Sequence, residues 1–442
     1  MIGVEDAVQC LKRGDPTTAL GIFHALLGQP INEEEKGWTW CNIGACYEQL
    51  GRGADAHYAF RLSAAINPKG IAALSNLGAS ALGWHKTDEA ERFLRTAISC
   101  APPGKDGETY AHVLNGMATV AIQRSDYPLA LEWVNRALAS DDNCVPAHWN
   151  RSLVLLGLEQ WAEGWKEHEW RKQLKRVAPR TAPVSPMPEW QGESLKGVRL
   201  AVHCEQGWGD MLMWARVGPM LQDLGATLIW EAHDVLKPLF EAQPWVETVV
   251  EAGKELPEHD LHTFVLSAVR ILGLTPEKAQ SFPYLKSPHR LKRLGVDRSR
   301  KTVALAWKGR PEHGGDHLRS TTDEFAQYLV DQFPGVNWVS MQKNAEPPKG
   351  AIDGRPWLTD FAWSSALLRV CDLLVSVDSG PIHLAGALDV PGVVMLPHNA
   401  EWRWRPDLAL RKSRWYNSIR LTQQTAEQDW ESLVPQLREH LV

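Results

Sequence analysis

The most informative stretch of the sequence is Val375-Ser-Val-Asp378-Ser379-Gly380-Pro381-Ile-His383-Leu-Ala-Gly-Ala-Leu388. It continues an apolar, β-branched run that begins at Leu373 and is typical of a buried parallel strand. Pro381 suits the first helical position, because a missing N–H costs nothing there. Between strand and helix, Ser379 and Gly380 offer N–H groups and a hydroxyl at the positive end of the helix, where a diphosphate can bind without a metal. The alternative is that Asp378 or Ser379 only caps the helix.

Strands and helices alternate on both sides of this stretch. Strands are predicted at 198–204, 226–232, 247–251, 302–307, 337–342, 373–377 and 392–396, with helices at 211–224, 235–242, 323–333 and 361–371 between them. This pattern predicts two doubly wound α/β halves joined near residue 290, with a ligand in the crevice outside the carboxyl ends of the strands. We expect the final helix, 430–441, to pack back against the first half.

The first third of the sequence repeats itself. Trp40, Ile43, Gly44, Tyr47, Ala56, Phe60 and Pro68 recur 34 residues later as Leu74, Leu77, Gly78, Ala81, Ala90, Leu94 and Pro102. The pattern resembles the tetratricopeptide repeat, in which small residues lie where two antiparallel helices touch and proline ends the second helix. With partial units on either side, four to five helical hairpins are predicted to form a short solenoid.

The predicted fold class is therefore an α-helical solenoid followed by α/β domains, which agrees with a chain of 442 residues being too long for one hydrophobic core. We expect the solenoid at 1–171, a linker at 172–197, a first Rossmann-like half at 198–290 and a second at 291–442. The linker contains Lys172, Lys175, Arg176 and Arg180, several prolines and, up to Pro188, no acid. Such a segment is usually only solvated; holding an anionic acceptor is the alternative.

The composition is that of a water-soluble globular protein. A formal charge of −6 gives no overall attraction to nucleic acid or anionic membranes. No apolar run reaches the length of a bilayer span, and the N-terminus lacks a signal-peptide pattern, so we expect a cytoplasmic protein. The seven cysteines are scattered without metal-ligand spacing and are expected to be reduced thiols.

A second polar segment follows the first strand of the α/β part: Glu205, Gln206, Gly207, Trp208, Gly209 and Asp210. Its glycines permit a tight turn and a close approach of substrate to the backbone. Asp210 begins the next helix on the crevice side, where a carboxylate can take a proton from an acceptor hydroxyl that attacks an anomeric carbon. Alternatively, Asp210 is only a helix cap worth about 1 kcal/mol; the two roles are compatible.

These motifs together carry a family resemblance. Gly209-Asp210, combined with Asp378-Ser379-Gly380-Pro381-x-His383, resembles the bacterial heptosyltransferases, which are inverting transferases of the two-Rossmann GT-B architecture. Through 205–210, 307–320 and 401–404 the chain also resembles tetratricopeptide proteins that carry such a domain. The architecture is similar to that of O-linked N-acetylglucosamine transferases, which suggests that the repeats present a protein acceptor.

The resemblance implies roles for residues on both sides of the crevice. The first half would bind the acceptor, with Asp210 as general base and Glu205, Gln206, Gly207 and Gly209 in the acceptor loop. The second half would bind the nucleotide-sugar donor. There, Ser379, Gly380 and Pro381 would form the phosphate-binding turn, and Asp378 and His383 would flank the donor sugar and diphosphate.

The segment 307–320 is expected to supply a cation for the leaving diphosphate. Lys308, Arg310 and Arg319 are the candidates, and Arg319 is favoured because the resemblance includes its Arg-Ser pair. Trp402, Arg403 and Trp404 would close over the nucleotide base, although core or interface packing is an equal alternative for the two tryptophans.

No metal and no cofactor are expected beyond the nucleotide-diphosphate sugar as co-substrate. His313 and His317 have the spacing of a metal pair on a helix, but two intervening glycines and the lack of a third ligand favour a loop. Enzymes of the resembled kind need no bound metal.

The resulting hypothesis is a metal-independent, inverting glycosyltransferase of the hexosyl or heptosyl type that acts on a protein or glycan. One alternative is a catalytically inactive nucleotide-binding scaffold whose repeats bind proteins. Another is a glycosyltransferase acting on nucleic acid, whose phosphates would be tracked by Arg403, Arg405, Arg411, Lys412 and Arg414. The net negative charge opposes the latter.

Overall fold

The computed structural model describes residues 3–101, 107–174, 185–279, 283–292, 294–311 and 315–442. The chain divides into two compact units, Met1–Leu158 and Glu159–Val442. Pro102, the linker residues Lys175, Arg176 and Arg180, and His313 lie outside the described residues.

The first unit is helical. Its described helices are α1 (Val4–Lys12), α2 (Pro16–Leu27), α3 (Glu33–Gln49), α4 (Gly53–Ile66), α5 (Ile71–Gly83), α6 (Thr87–Cys100), α7 (Glu108–Gln123), α8 (Tyr127–Ser140) and α9 (Val145–Gly157). Each helix packs against the next, and α7 also packs against α5 and α9. This stacking of helical hairpins confirms the predicted tetratricopeptide-like solenoid.

Glycines allow the paired helices to touch, as the repeat pattern predicts. A Cβ placed on Gly44 would lie 2.3 Å from Cε1 of Phe60, and one on Gly78 would lie 2.6 Å from Cγ of Leu94. Phe60 and Leu94 are both buried. The two contacts are equivalent because both members of each pair recur at the 34-residue spacing.

We expect Gly44→Ala to lower the free energy of unfolding by about 1–3 kcal/mol, because the added methyl overpacks against the fully buried Phe60 ring. Gly21→Ala is the matched control. It lies exposed within α2 with nothing within 4 Å of the added Cβ, so higher helix propensity should stabilise it by up to about 1 kcal/mol. Urea unfolding of the whole chain measures both; equal stability of the two variants would contradict the helix packing.

The second unit begins with α10 (Trp161–His168) and a 3-10 segment, Glu169–Gln173, and then forms two parallel sheets. The first sheet contains β1 (Arg199–His203), β2 (Thr227–Ala232), β3 (Thr248–Glu251) and β4 (Leu261–Phe264), in the order β3-β2-β1-β4. Its helices are α11 (Trp208–Trp214), α12 (Val217–Asp223), α13 (Lys237–Phe240) and α14 (Val265–Ile271). Pairings such as Ala201 with Ile229 and with His262 run parallel.

The second sheet contains β5 (Thr302–Ala306), β6 (Asn337–Ser340), β7 (Ile352–Asp353), β8 (Leu373–Val377), β9 (Gly392–Leu396) and β10 (Ile419–Gln423). Their order is β10-β9-β8-β5-β6-β7, and all pairings are parallel. The helices are α15 (Asp316–Arg319), α16 (Asp323–Gln332), α17 (Phe361–Leu368), α18 (Gly380–Ala387) and α19 (Leu433–Leu441). The alternation of parallel strands with helices is confirmed, but β4, β7 and β10 were not predicted, and the predicted helix 211–224 is divided into α11 and α12.

The strand order determines where each half can bind a ligand. In the first sheet the order turns back at β1, which pairs with both β2 and β4. In the second sheet β5 pairs with both β6 and β8, so the order turns back between β5 and β8. Ligands of doubly wound folds bind at such switch points, beyond the carboxyl ends of the strands. The loops after β1, β5 and β8 occupy these positions.

The last helix packs against a different surface from the one that we expected. Instead of packing back against the first half, α19 packs against β9 and β10 of the second sheet. Its residues Leu433, Val434, Leu437 and Leu441 belong to the same buried cluster as Val375 and Val393. An amphipathic helix must bury its apolar stripe, and here the adjoining face of its own sheet provides the cover.

The state of the cysteines and the character of the helices can be compared with the expectations from composition. All seven cysteines are free thiols. Among the described helices, none combines the length and apolar character needed to cross a membrane.

Candidate functional site

The loops after β1 and β8 meet across the crevice between the two halves. A Cβ on Gly209 would lie 2.9 Å from Cδ2 of His383 and 3.8 Å from the backbone nitrogen of Gly380. Helices α11 and α18, which begin at these loops, pack against each other. The two motifs therefore form one site, and glycine is required at 209 because a side chain would collide with His383.

The turn after β8 leaves the start of α18 open. Ser379 is the N-cap residue, but its side chain makes no capping hydrogen bond among the described residues. Its hydroxyl donates instead to the carbonyl oxygen of Val377, at 3.3 Å. Helix α18 begins at Gly380, so Pro381 is its second residue rather than its first. An uncapped helix start of this kind suits an anion.

Asp378 and His383 lie beside this turn. Oδ1 of Asp378 is 3.5 Å from Nε2 of His383, whose Nδ1 is 2.8 Å from the hydroxyl of Tyr416. Burial opposes ionisation of Asp378, but His383 and the charges of Arg319 and Arg403 outweigh it and lower the pKa of Asp378 to about 2. Asp378 is therefore a carboxylate at neutral pH.

Asp210 both caps α11 and faces the crevice. Its Oδ2 accepts the backbone N–H of Gly207 at 3.1 Å, and its Oδ1 accepts a hydrogen bond from Nη2 of Arg403. The side chain remains 22% exposed. Arg403 belongs to the second half, so this ion pair joins the two halves directly beside the turn.

Arg403 is held by a second carboxylate, that of Glu401. Its Nη1 donates to Oε2 of Glu401 at 2.5 Å, and its guanidinium lies 4.7 Å from the ring centroid of Trp402. Burial opposes the charge of Arg403, but Glu401, Asp210 and Asp378 together raise its pKa, so the guanidinium stays protonated.

Glu401 has one oxygen without a partner. Burial, together with the negative charges of Asp378 and Asp210, raises the pKa of Glu401 to about 7 although Arg403 opposes the shift. Its side chain is 36% exposed, yet its Oε1 is enclosed and has no hydrogen-bond partner among the described residues. The prediction placed Arg403 over the nucleotide base; in the structure it pairs with Asp210 and Glu401. Glu401 was not predicted as a site residue, and the signal for it was the run Glu401-Trp-Arg-Trp404.

The three candidate cations occupy different places. Nη1 of Arg319 donates to the backbone oxygen of Asp378 at 2.9 Å, so Arg319 contacts the turn. Nζ of Lys308 pairs with Asp323 at 2.7 Å. The guanidinium of Arg310 lies 4.4 Å from the ring centroid of Trp208.

Glu205 lies in the predicted acceptor loop but cannot touch an acceptor. Its side chain is 0% exposed and accepts hydrogen bonds from Nε and Nη2 of Arg171, at 2.8 and 2.9 Å, and from the backbone N–H of Leu266 at 2.8 Å. Gln206 follows with a left-handed φ of 61°. Glu205 therefore anchors the loop that carries Gly207 and Asp210, rather than contacting the substrate.

Arg171→Met is expected to reduce the free energy of unfolding by about 3–5 kcal/mol, because it leaves the buried charge of Glu205 without its partner. Lys172→Met is the matched control: Lys172 is 27% exposed and pairs with the partly exposed Glu189 and Glu169, so its loss should cost no more than about 1 kcal/mol. Urea unfolding followed by tryptophan fluorescence provides the comparison. Similar losses for the two variants would show that Glu205 does not depend on Arg171.

The aromatic residues at the site differ from those predicted. Trp402 and Trp404 are buried, and Trp404 stacks on His383 with ring centroids 5.6 Å apart, so the packing alternative holds. Trp208 and Phe361 were missed. Their rings meet edge to face at 5.8 Å, and a Cβ on Gly380 would lie 3.1 Å from Cζ of Phe361. The position of Trp208 between Gly207 and Gly209 was the available signal.

Comparison with known proteins identifies the part of the chain around the turn. Residues 358–431 match glycosyltransferase family 9 (heptosyltransferase). This range includes the turn, His383 and Arg403 but not Asp210. Protein FlbA of Caulobacter vibrioides is 24% identical over 454 aligned residues, which cover 92% of this chain and 72% of that protein.

Similar solved structures concern the helical part. A chain of the APC/C heterotetramer Cut9–Hcn1 is 15% identical with a TM-score of 0.35; the match covers 39% of this chain and 32% of that one. A thermophilic TPR protein from Thermus thermophilus is 16% identical with a TM-score of 0.32, over 38% of this chain and 88% of that one. This chain thus spans about a third of the first of these two structures.

Proposed function

We propose that this chain, whose C-terminal part carries a glycosyltransferase family 9 domain, moves a sugar from a nucleotide-diphosphate sugar to an acceptor hydroxyl with inversion and without a metal. One observation supports this most directly. The carboxylate of Asp210 and the uncapped start of α18 lie on opposite sides of one crevice, with Gly209 in contact range of His383 and Gly380. A transferase of this kind needs such a base and such an anion site close together.

The transfer step uses Asp210 as the base. The acceptor O–H gives its proton to a carboxylate oxygen of Asp210 while the acceptor oxygen forms a bond to the anomeric carbon. The bond from that carbon to the diphosphate oxygen breaks, and its electron pair leaves with the diphosphate. Because attack and departure occur on opposite faces of the sugar, the configuration inverts, and no covalent enzyme intermediate forms.

The second half stabilises the leaving group. Backbone N–H groups at Ser379 and Gly380 and the positive end of α18 point to the site of the departing charge. Arg319, whose Nε also pairs with Asp316 at 3.2 Å, adds positive charge and holds the turn in shape through the carbonyl oxygen of Asp378. The carboxylate of Asp378 would repel a phosphate, so we assign it to orienting His383 and accepting donor hydroxyls.

The acceptor is proposed to be a protein or glycan presented by the helical repeats, since stacked helical hairpins offer an extended binding surface. A nucleic-acid acceptor has less support. Within the basic cluster, Arg403 is already paired with Asp210 and Glu401. Arg414 likewise pairs with Asp407 and Glu159. Charges neutralised in this way contribute little to tracking phosphates.

The proposal is tested by titrating the full chain with UDP, GDP and ADP in a calorimeter and then assaying hydrolysis and transfer of the corresponding nucleotide sugars. We expect one diphosphate to bind and its sugar to be slowly hydrolysed or transferred without added metal. Binding without hydrolysis or transfer would favour the inactive scaffold. Salt-sensitive retention on DNA would favour the nucleic-acid acceptor.

A further inference from the structure

Arg403 carries one positive charge that two carboxylates share. Nη2 binds Oδ1 of Asp210, and Nη1 binds Oε2 of Glu401. Asp378 contributes a third negative charge to the same neighbourhood, since it raises the pKa of Arg403. The guanidinium is mostly buried, with 14% of its side chain exposed. The guanidinium of Arg403 is therefore enclosed by two carboxylates and the ring of Trp402.

The same cation lies beside the loop that faces the proposed phosphate site. The next residue, Trp404, stacks on His383, and a Cβ placed on Gly209 would lie 2.9 Å from Cδ2 of His383. Arg403 itself binds Asp210, which follows Gly209 in the loop facing Gly380. A diphosphate at the start of α18 would thus be a fourth anionic group competing for this guanidinium.

In the present pairing both carboxylate oxygens of Asp210 already accept a hydrogen bond, from the backbone of Gly207 and from Arg403. Because the guanidinium lies against Oδ1, an acceptor hydroxyl that approaches this oxygen must share it with Arg403 or displace the guanidinium. Oδ1 becomes accessible to the acceptor when the guanidinium turns to another anion.

We propose that Arg403 couples donor binding to activation of Asp210: the donor diphosphate draws Nη2 of the guanidinium away from Asp210, which becomes free to accept the proton of the acceptor. This rests on the proposed function, because it needs a diphosphate at α18. Glu401 limits the movement by retaining its own hydrogen bond to Nη1, so Arg403 is redirected rather than released. Donor would then bind before the acceptor is deprotonated.

A double-mutant cycle on nucleoside diphosphate binding tests the coupling. The probe is whichever of UDP, GDP and ADP binds the unmodified full chain, measured by calorimetry. The variants are Asp210→Asn, Arg403→Gln and the two combined. Lys412→Gln serves as control because it removes an exposed positive charge from the same segment. Arg403→Lys keeps the charge but lacks the guanidinium fork.

If Asp210 competes for Arg403, Asp210→Asn should tighten diphosphate binding about three- to tenfold when Arg403 is present and less than about twofold in Arg403→Gln. Glu401→Gln should tighten binding in the same direction. Arg403→Gln should weaken binding about tenfold or more, Arg403→Lys should weaken it less, and Lys412→Gln should leave it unchanged.

Equal tightening by Asp210→Asn in both backgrounds would overturn the coupling, since it would reflect only the removal of repulsion between Asp210 and the ligand. The coupling would also be overturned if Asp210→Asn did not tighten diphosphate binding in the chain that retains Arg403. This measurement requires only that the conservative Asp210→Asn variant folds. Failure of all three diphosphates to bind the unmodified chain would instead reject the proposed function itself.

Discussion

Asp210→Asn is expected to lower the turnover number for sugar transfer by about 10²- to 10⁴-fold, the usual contribution of a general base. Asparagine has the same shape, and its carbonyl oxygen can still accept the N–H of Gly207, so the start of α11 stays capped. The asparagine amide cannot take the proton of the acceptor hydroxyl. Nucleoside diphosphate binding should persist, which separates the loss of chemistry from a loss of folding.

The matched control is Asp223→Asn, which removes an exposed carboxylate at the end of α12 in the same half. Its turnover should remain within about twofold of the unmodified chain, as is usual for surface substitutions away from special features. Initial-rate assays at saturating donor, run on both variants, give the comparison. Near-normal turnover of Asp210→Asn would remove Asp210 as the base and leave the crevice without an identified proton acceptor.

Arg319→Gln is expected to reduce turnover by about 10²- to 10³-fold, the loss typical of removing one preorganised group that stabilises developing charge. Two effects combine here. The positive charge opposite the leaving diphosphate disappears, and the carbonyl oxygen of Asp378 loses its 2.9 Å hydrogen bond, so the turn before α18 is less fixed.

Lys308→Gln tests whether Arg319 acts through its specific contact with the turn or only through the positive charge that it shares with nearby cations. Both cations pair with a carboxylate, Lys308 with Asp323 and Arg319 with Asp316, but Arg319 also contacts the turn. We therefore expect removal of Lys308 to reduce turnover less than about tenfold. Arg319→Lys should recover part of the activity, since it keeps the charge but not the planar fork. Equal losses for Arg319→Gln and Lys308→Gln would mean that the leaving group does not depend on the contact made at the turn.

The repeated and alternating patterns of the sequence predict the fold well because they report local packing. A glycine opposite a large apolar residue, repeated at a 34-residue interval, marks a helix contact wherever it occurs, as at Gly44 and Phe60. The apolar strand before Asp378 and the glycine-rich loop before Asp210 likewise end at the two switch points. Their meeting follows from the general geometry of doubly wound sheets.

The charge pairing within the site does not follow from such patterns. Arg403 and Asp210 are 193 residues apart, and nothing near either one identifies its partner. Glu205 sits in a polar loop and would be expected to face solvent, but Arg171, from the 3-10 segment before the first sheet, encloses it. The final helix shows the same limit, because its amphipathic pattern indicates that it packs but not on which surface.

The position of α19 affects what happens to the second sheet when the crevice between the two halves opens. Because this helix seals the core of the second sheet with residues of the same half, a hinge motion between the halves would leave that core shielded from water. Such opening would act on contacts across the crevice, such as the pair of Asp210 and Arg403. If the second half binds the donor as proposed, the nucleotide can enter and leave without partial unfolding of that half.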